Sequence, residues 1–256
     1  MTSRVTVLGT CGAWPEPGRA CSGYLLQHDG FRVVLDMGYA TSPHLLEALG
    51  SLSADNLDAG IFTHRHADHM IDLHALFRAR SLGGAVGRKL PLYAAEGVRE
   101  RLLDVQDEKA AIDEVFTWHP LPGPTYEVGP FRLDSWSLPH QVPDAGVRLS
   151  AGGLTVAYTG DTGPDPQLLD LARDVDLLVV EATDRAQRTL GTPDPTASGH
   201  LTARQAGELA AAAGARRLLL THFWPGNDRE ATRAAASEVY GGEVLVAEEG
   251  LRITLA

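Results

Sequence analysis

Short apolar runs broken by glycine and proline, with a few amphipathic stretches between them, predict a mixed α/β fold. Val5 to Leu8 reads as a first strand, and Gly23 to Gln27 with Phe31 to Leu35 as a pair about the turn His28-Asp29-Gly30. Ser42 to Leu49 has helical spacing, with Ser42 as N-cap and Gly50 as its stop. Ala59 to Phe62 is a short apolar strand, and Met70 to Arg80 is expected as a helix. Phe131 to Leu138, Leu154 to Tyr158, Asp176 to Val180 and Leu218 to Leu220 carry the strand pattern through the second half. Thr202 to Ala213 and Asp228 to Tyr240 read as helices, the first capped by Thr202 and ended by Gly214. Leu121-Pro122-Gly123-Pro124 is a turn within one domain spanning residues 1–256, not a linker.

What stands at the ends of these strands moves the picture from fold to chemistry. Ala59 to Phe62 runs straight into Thr63-His64-Arg65-His66-Ala67-Asp68-His69, which packs three imidazoles and a carboxylate between His64 and His69. The later strands end just before His140, Asp161, Glu181 and His222. Edge loops on a rigid sheet are where binding and catalytic residues gather. One polar strand end is ordinary, but five of metal-binding or carboxylate type point to one shared site. His, Asp and Glu are the usual nitrogen and oxygen ligands of catalytic zinc. The same strand-then-ligand logic in both halves suggests two sheet-and-helix layers facing each other. His28, His44, His74 and His119 stand outside it and are expected to be structural or solvent-facing. The glycines between Gly9 and Gly23 suit turns as well as a pocket wall. Phe223 and Trp224 could stack on a ring, but packed core is the commoner role of such aromatics.

Composition narrows the function. With 256 residues, 44% of them hydrophobic, the chain can bury one sizeable core. Its 22 basic and 33 acidic residues give a net charge of -11, which repels polyanions and argues against bulk nucleic-acid binding. Cys11 and Cys21 are the only cysteines, so no disulfide framework is indicated, and both read as small buried residues in a reducing cytosol. No signal peptide is visible, and no apolar run approaches the roughly 18 residues of a membrane span.

With these residues in view, the chain resembles the metallo-β-lactamase superfamily. Its motif H-x-H-x-D-H is matched by His64, His66, Asp68 and His69. Later elements are matched by His140, by Asp161 in Thr159-Gly160-Asp161-Thr162, and by His222 in Leu220-Thr221-His222. The resemblance covers nearly the full length and implies a four-layer αββα sandwich with two metals at one edge of the sheets. Glu181-Ala182-Thr183 after an apolar strand, and Gly199-His200-Leu201-Thr202 opening a helix, are similar to the RNase Z-like phosphodiesterase branch. Leu8-Gly9-Thr10-Cys11-Gly12, Cys21-Ser22-Gly23-Tyr24-Leu25-Leu26 and Leu220-Thr221-His222-Phe223-Trp224-Pro225 most resemble bacterial atypical class II cyclic-AMP phosphodiesterases. RNase Z enzymes usually carry a Gly/Pro-rich arm that clamps tRNA between the positions of His140 and Asp161. Here that interval holds only Gln141 to Gly160, expected as a turn and a strand, and no arm fits.

The resemblance implies that His64, His66 and His140 bind one divalent ion, that Asp68, His69 and His222 bind a second, and that Asp161 bridges both. Zinc is the first expectation, and manganese or iron also suits the donor set. The implied reaction is hydrolysis of a small phosphodiester, cyclic AMP being the leading candidate, by a hydroxide held between the ions. Asp68 would orient that hydroxide, His200 would assist the leaving oxygen, and Glu181 would hold His200. Processing of tRNA 3′ ends, as in RNase Z, and hydrolysis of a thioester or lactone are the alternatives. A cytoplasmic homodimer with no membrane attachment completes the expectation.

Overall fold

The first half of the chain forms β1 (Ser3–Gly9), β2 (Gly23–His28), β3 (Phe31–Met37), α1 (Thr41–Leu49), β4 (Ala59–Phe62), α2 (Ala67–Met70), α3 (Leu73–Leu82), β5 (Leu90–Ala95), α4 (Val98–Val105), α5 (Lys109–Val115) and β6 (Phe116–Leu121). The second half forms β7 (Tyr126–Val128), β8 (Phe131–Leu138), β9 (Asp144–Ala151), β10 (Leu154–Tyr158), α6 (Gln167–Ala172), β11 (Leu177–Glu181), α7 (Ala203–Ala213), β12 (Arg217–Thr221), α8 (Arg229–Ser237), β13 (Glu243–Val246) and β14 (Arg252–Leu255). The computed structural model describes residues 3–84, 87–107, 109–184 and 199–255.

These strands make two seven-stranded sheets, ordered β14-β1-β2-β3-β4-β5-β6 and β13-β12-β11-β10-β9-β8-β7. Each sheet is antiparallel on one side and parallel on the other. The parallel runs are β3 to β6 in the first and β10 to β13 in the second. Strand periodicity sorts the side chains into layers. Tyr24, Leu26, Val33, Leu35 and Tyr93 enter the core between the sheets. Their neighbours Leu25, Val34 and Leu92 enter a second core with Leu45, Leu73 and Leu102 of α1, α3 and α4. Burial on both faces is why these strands read as nearly continuous apolar runs. On the opposite side, Leu168 and Leu171 of α6 and Ala206, Leu209 and Ala210 of α7 close the inter-sheet core from outside. The result is a four-layer αββα sandwich.

Several expected elements differ in detail. Helix α1 starts at Thr41, and its N-cap is Ala40 in the left-handed conformation (φ 65°), not Ser42. The Ser42 N–H instead donates to Asp72 Oδ2 at 2.8 Å, so the cap comes from a distant side chain. The expected helix from Met70 to Arg80 is broken into α2 and α3 around Asp72, whose own N–H donates to Met37 O at 3.0 Å. The interval Gln141 to Gly160 holds the β9–β10 hairpin rather than one strand. Leu121 still belongs to β6, so the proline-rich turn begins at Pro122. Helix α8 is capped by Asp228 and ends at Ser237, leaving Tyr240 to donate to Ala215 O at 2.7 Å. Thr202 forms a capping box with Gln205, and Gly50 and Gly214 end their helices at φ 62° and 70°.

Candidate metal centre

The carboxyl ends of the parallel strands in both sheets supply most of the site. Beyond β4 come Thr63 and His64. His66 precedes the first turn of α2, which presents Asp68 and His69. Beyond β10 lies Asp161, β11 ends on Glu181, and His222 follows β12 with φ 52°. His140 comes from the antiparallel side, just after β8. His64, His66, His140 and Asp161 form one group, and Asp68, His69, Asp161 and His222 another; within each, the candidate donor atoms lie within 4.8 Å of one another. Asp161, Glu181, His200 and His222 form a third such group. The histidines placed outside the site have other roles. His28 Nδ1 lies 2.7 Å from Ser3 Oγ, His74 Nε2 lies 3.1 Å from Gln106 Oε1, and His119 stacks on Tyr93.

Asp161 sits between the first two groups. Its Oδ2 is 3.9 Å from His64 Nε2, 3.8 Å from His140 Nε2 and 3.2 Å from His222 Nε2. Its Oδ1 is 3.2 Å from His69 Nε2. Asp68 Oδ2 accepts from the Ala13 N–H at 2.6 Å and lies 3.2 Å from His222 Nε2. His66 Nδ1 and His140 Nε2 approach to 3.0 Å.

The outward ring nitrogens are committed elsewhere. The His69 Nδ1–H donates to Asp36 Oδ2 at 2.8 Å, and the His140 Nδ1–H to Gly199 O at 2.9 Å. The His64 Nδ1–H donates to the Thr63 hydroxyl oxygen at 3.1 Å, with Asp144 Oδ1 3.0 Å away. The Thr183 hydroxyl donates to Glu181 Oε2, so its oxygen is left to accept from His222 Nδ1 at 3.0 Å. Such outer partners fix ring orientation and leave the inner nitrogen's lone pair pointing into the site.

Three inward atoms, His64 Nε2, His69 Nε2 and Asp161 Oδ1, are buried and make no hydrogen bond. Buried polar atoms normally find partners, so ring nitrogens left without a hydrogen bond in both ligand groups, beside the Asp161 carboxylate they share, fit cations. Protonation agrees. Burial pushes His64, His66 and His140 below the usual histidine range, His140 to about 4, which keeps their lone pairs available. Burial would also lower His69, but the carboxylates of Asp161, Asp36 and Asp68 outweigh it and hold the ring up. Burial would raise Asp161, yet His222, His69 and His64 hold it well below the carboxylate range. The clusters can therefore bind metal ions.

Some contributors escape a reading of the sequence. Asp36 and Asp144 are fully buried behind His69 and His64. Asp36 directly follows the run Phe31 to Leu35, so the rule of acids at strand ends marks it. Asp144 opens a strand, where that rule says nothing. Gly12 carries the least signal of all, because only the packed structure reveals the His222 ring against it.

Fold and site together define a metal-dependent hydrolase. A sequence profile of the beta-lactamase superfamily domain matches residues 19–223. The chain belongs to that superfamily, in its RNase Z-like branch. The probable metallo-hydrolase YhfI of Bacillus subtilis (strain 168) is 30% identical over 250 residues, covering 96% of this chain and 98% of the relative. The crystal structure of YhfI matches with a TM-score of 0.85 at 29% identity and covers 100% of both chains. A ribonuclease Z of Kineococcus radiotolerans is 32% identical over 288 residues, covering 93% of this chain and 90% of the relative. The crystal structure of human tRNase Z, short form, matches with a TM-score of 0.78 at 25% identity over 99% of each chain. No helix among the described residues is long and apolar enough to cross a membrane.

Proposed function

We propose that this protein is a phosphodiesterase that uses two divalent metal ions to hydrolyse a small phosphodiester, with cyclic AMP as first candidate. The observation that carries this reading is the pair His200 and Glu181, with Nδ1 and Oε2 2.9 Å apart beside Asp161 and His222. In this reading His64, His66 and His140 hold one ion, Asp68, His69 and His222 the other, and Asp161 serves both. Zinc is the first choice for a donor set of imidazole and carboxylate. When bound, such ions neutralise phosphoryl charge and acidify water.

The chain's own groups then divide the work. Asp68, fixed by the Ala13 N–H, accepts a hydrogen bond from the attacking water and turns its lone pair toward phosphorus. As the phosphorus–oxygen bond breaks, His200 gives a proton to the departing oxygen. Glu181 holds the His200 ring and is itself fixed by the Thr162 N–H at 2.6 Å and by the Thr183 hydroxyl. Thioester or lactone hydrolysis has no evident need for that pair.

A small substrate is supported by the β9–β10 hairpin, which fills the interval where a tRNA-clamping arm would emerge. The alignment with the Kineococcus enzyme runs over 288 positions but uses 93% of a 256-residue chain, so that relative carries segments absent here. We take the chain as one domain acting as a cytoplasmic homodimer on a small diester rather than on bulk nucleic acid. Processing of tRNA is the second reading, favoured by relatives named ribonuclease Z or tRNase Z. The metal-loaded protein should hydrolyse bis-p-nitrophenyl phosphate, and His200→Ala should lose about 10²–10⁴-fold in rate on cyclic AMP, whose departing alkoxide needs a proton, and much less on the nitrophenyl ester. Cyclic AMP and precursor tRNA compared under the same conditions separate the two readings. Absence of any diesterase activity would sink both.

A further inference from the structure

Trp14 is the bulkiest of the exposed large apolar side chains, with 46% of its surface open to solvent. Its position is fixed by the site. The Ala13 N–H is bonded to Asp68, and the Gly12 N–H donates to Phe223 O at 2.9 Å. Gly12 itself lies against the His222 ring. Trp224, two residues beyond His222 and half-buried, meets Trp14 edge-on, with ring centroids 5.1 Å apart and planes at 80°. An edge-on contact occupies at most one face of the Trp14 ring. Phe223 has a different fate: it is buried, with the Arg229 guanidinium 4.4 Å from its ring centre. An indole left nearly half open beside a polar cluster keeps apolar surface uncovered, and an aromatic face is what a nucleobase stacks on.

We propose that Trp14, braced by Trp224, is the platform on which the base of a nucleotide diester stacks while its phosphoryl group lies at Asp68 and Asp161. The proposal rests on the phosphodiester reading and narrows its substrate to nucleotides. Stacking tolerates any base, because every base has a π-face. The platform therefore supplies affinity more than base choice.

The test compares cyclic AMP with ribose cyclic phosphate, which lacks the base, on the metal-loaded enzyme. Trp14→Ala should raise KM for cyclic AMP about tenfold to a hundredfold, the size of one base–aromatic stack, with kcat kept. KM for the abasic substrate should stay unchanged, and Trp14→Phe should recover most of the loss. In the metal-free protein, AMP should quench indole fluorescence while ribose 5-phosphate does not, and Trp14→Ala should abolish the quenching. Equal KM changes for both substrates, or quenching that survives in Trp14→Ala, would overturn the proposal. A wild type inactive on both substrates, yet quenched by AMP through Trp14, would break the phosphodiester reading and leave the platform standing.

Discussion

Gly12 has no side chain because His222 occupies the space. A Cβ there would lie 2.6 Å from His222 Cε1 and 2.8 Å from Nδ1, closer than packed atoms tolerate. The Gly12 backbone cannot easily retreat, since its N–H is tied to Phe223 and the next N–H to Asp68. Gly12→Ala should therefore rotate the His222 ring away from Asp68 and Asp161. Affinity of the Asp68, His69 and His222 group for its ion should fall about 10–100-fold, as when the support of a ligand is lost. Competition with a fluorescent zinc chelator measures this, and an unchanged affinity would remove His222 from that group. The contrast with the His64–His69 run is instructive at this scale. Six residue positions carrying three imidazoles announce themselves, whereas a glycine means nothing until its neighbour, far along the chain, is known.

At the scale of elements, Asp36 is the joint that sets β3, the start of α2 and β10 in register with one another. It accepts the Thr63 N–H at 2.8 Å, the Thr63 hydroxyl at 2.7 Å, the His69 Nδ1–H at 2.8 Å and the Tyr158 hydroxyl at 2.8 Å. Tyr158 belongs to the second sheet and Asp36 to the first, so one buried carboxylate spans the sandwich. Asp36→Ala would strand these donors and should cost about 3–5 kcal/mol, with Asp36→Asn costing less because it keeps the shape and one acceptor. Urea unfolding checks this, and a cost below about 1 kcal/mol would show that the joint carries little. The strands before His64, Asp161, Glu181 and His222 were legible because burial on both faces leaves an unmistakable apolar run. Strand β6 was not, since Phe116–Leu121 includes Thr117, His119 and Pro120 and breaks the pattern. The start of α1 was misplaced for another reason. Its capping carboxylate, Asp72, comes from the chain leading into α3, and no local signal predicts a cap of that kind.

Across the whole molecule, the candidate centre is a seam between the two sheets. His64, His66, Asp68 and His69 arrive from the first sheet, and His140, Asp161 and His222 from the second. Without a cation, the folded state must keep several carboxylates and orphaned ring nitrogens out of water at that seam. Burial, with Asp161 and Asp36 close by, even pushes the Asp144 carboxyl well above its usual range. An ion that binds only the folded chain stabilises it by about 4 kcal/mol at a thousand times its Kd. For a domain of this size each kcal/mol moves Tm by about 2–4 °C. Stripping the metal with a chelator should therefore lower Tm by roughly 10 °C, and restoring zinc should reverse the drop. Asp161→Asn, which removes the charge shared by both groups, should abolish most of this metal-dependent shift. His200→Ala should keep the shift in full, because His200 is assigned to the departing oxygen and not to the ions. Calorimetry on the three proteins with and without chelator decides the matter. A His200→Ala protein that lost the shift would make that histidine a metal ligand and undo its assignment as proton donor.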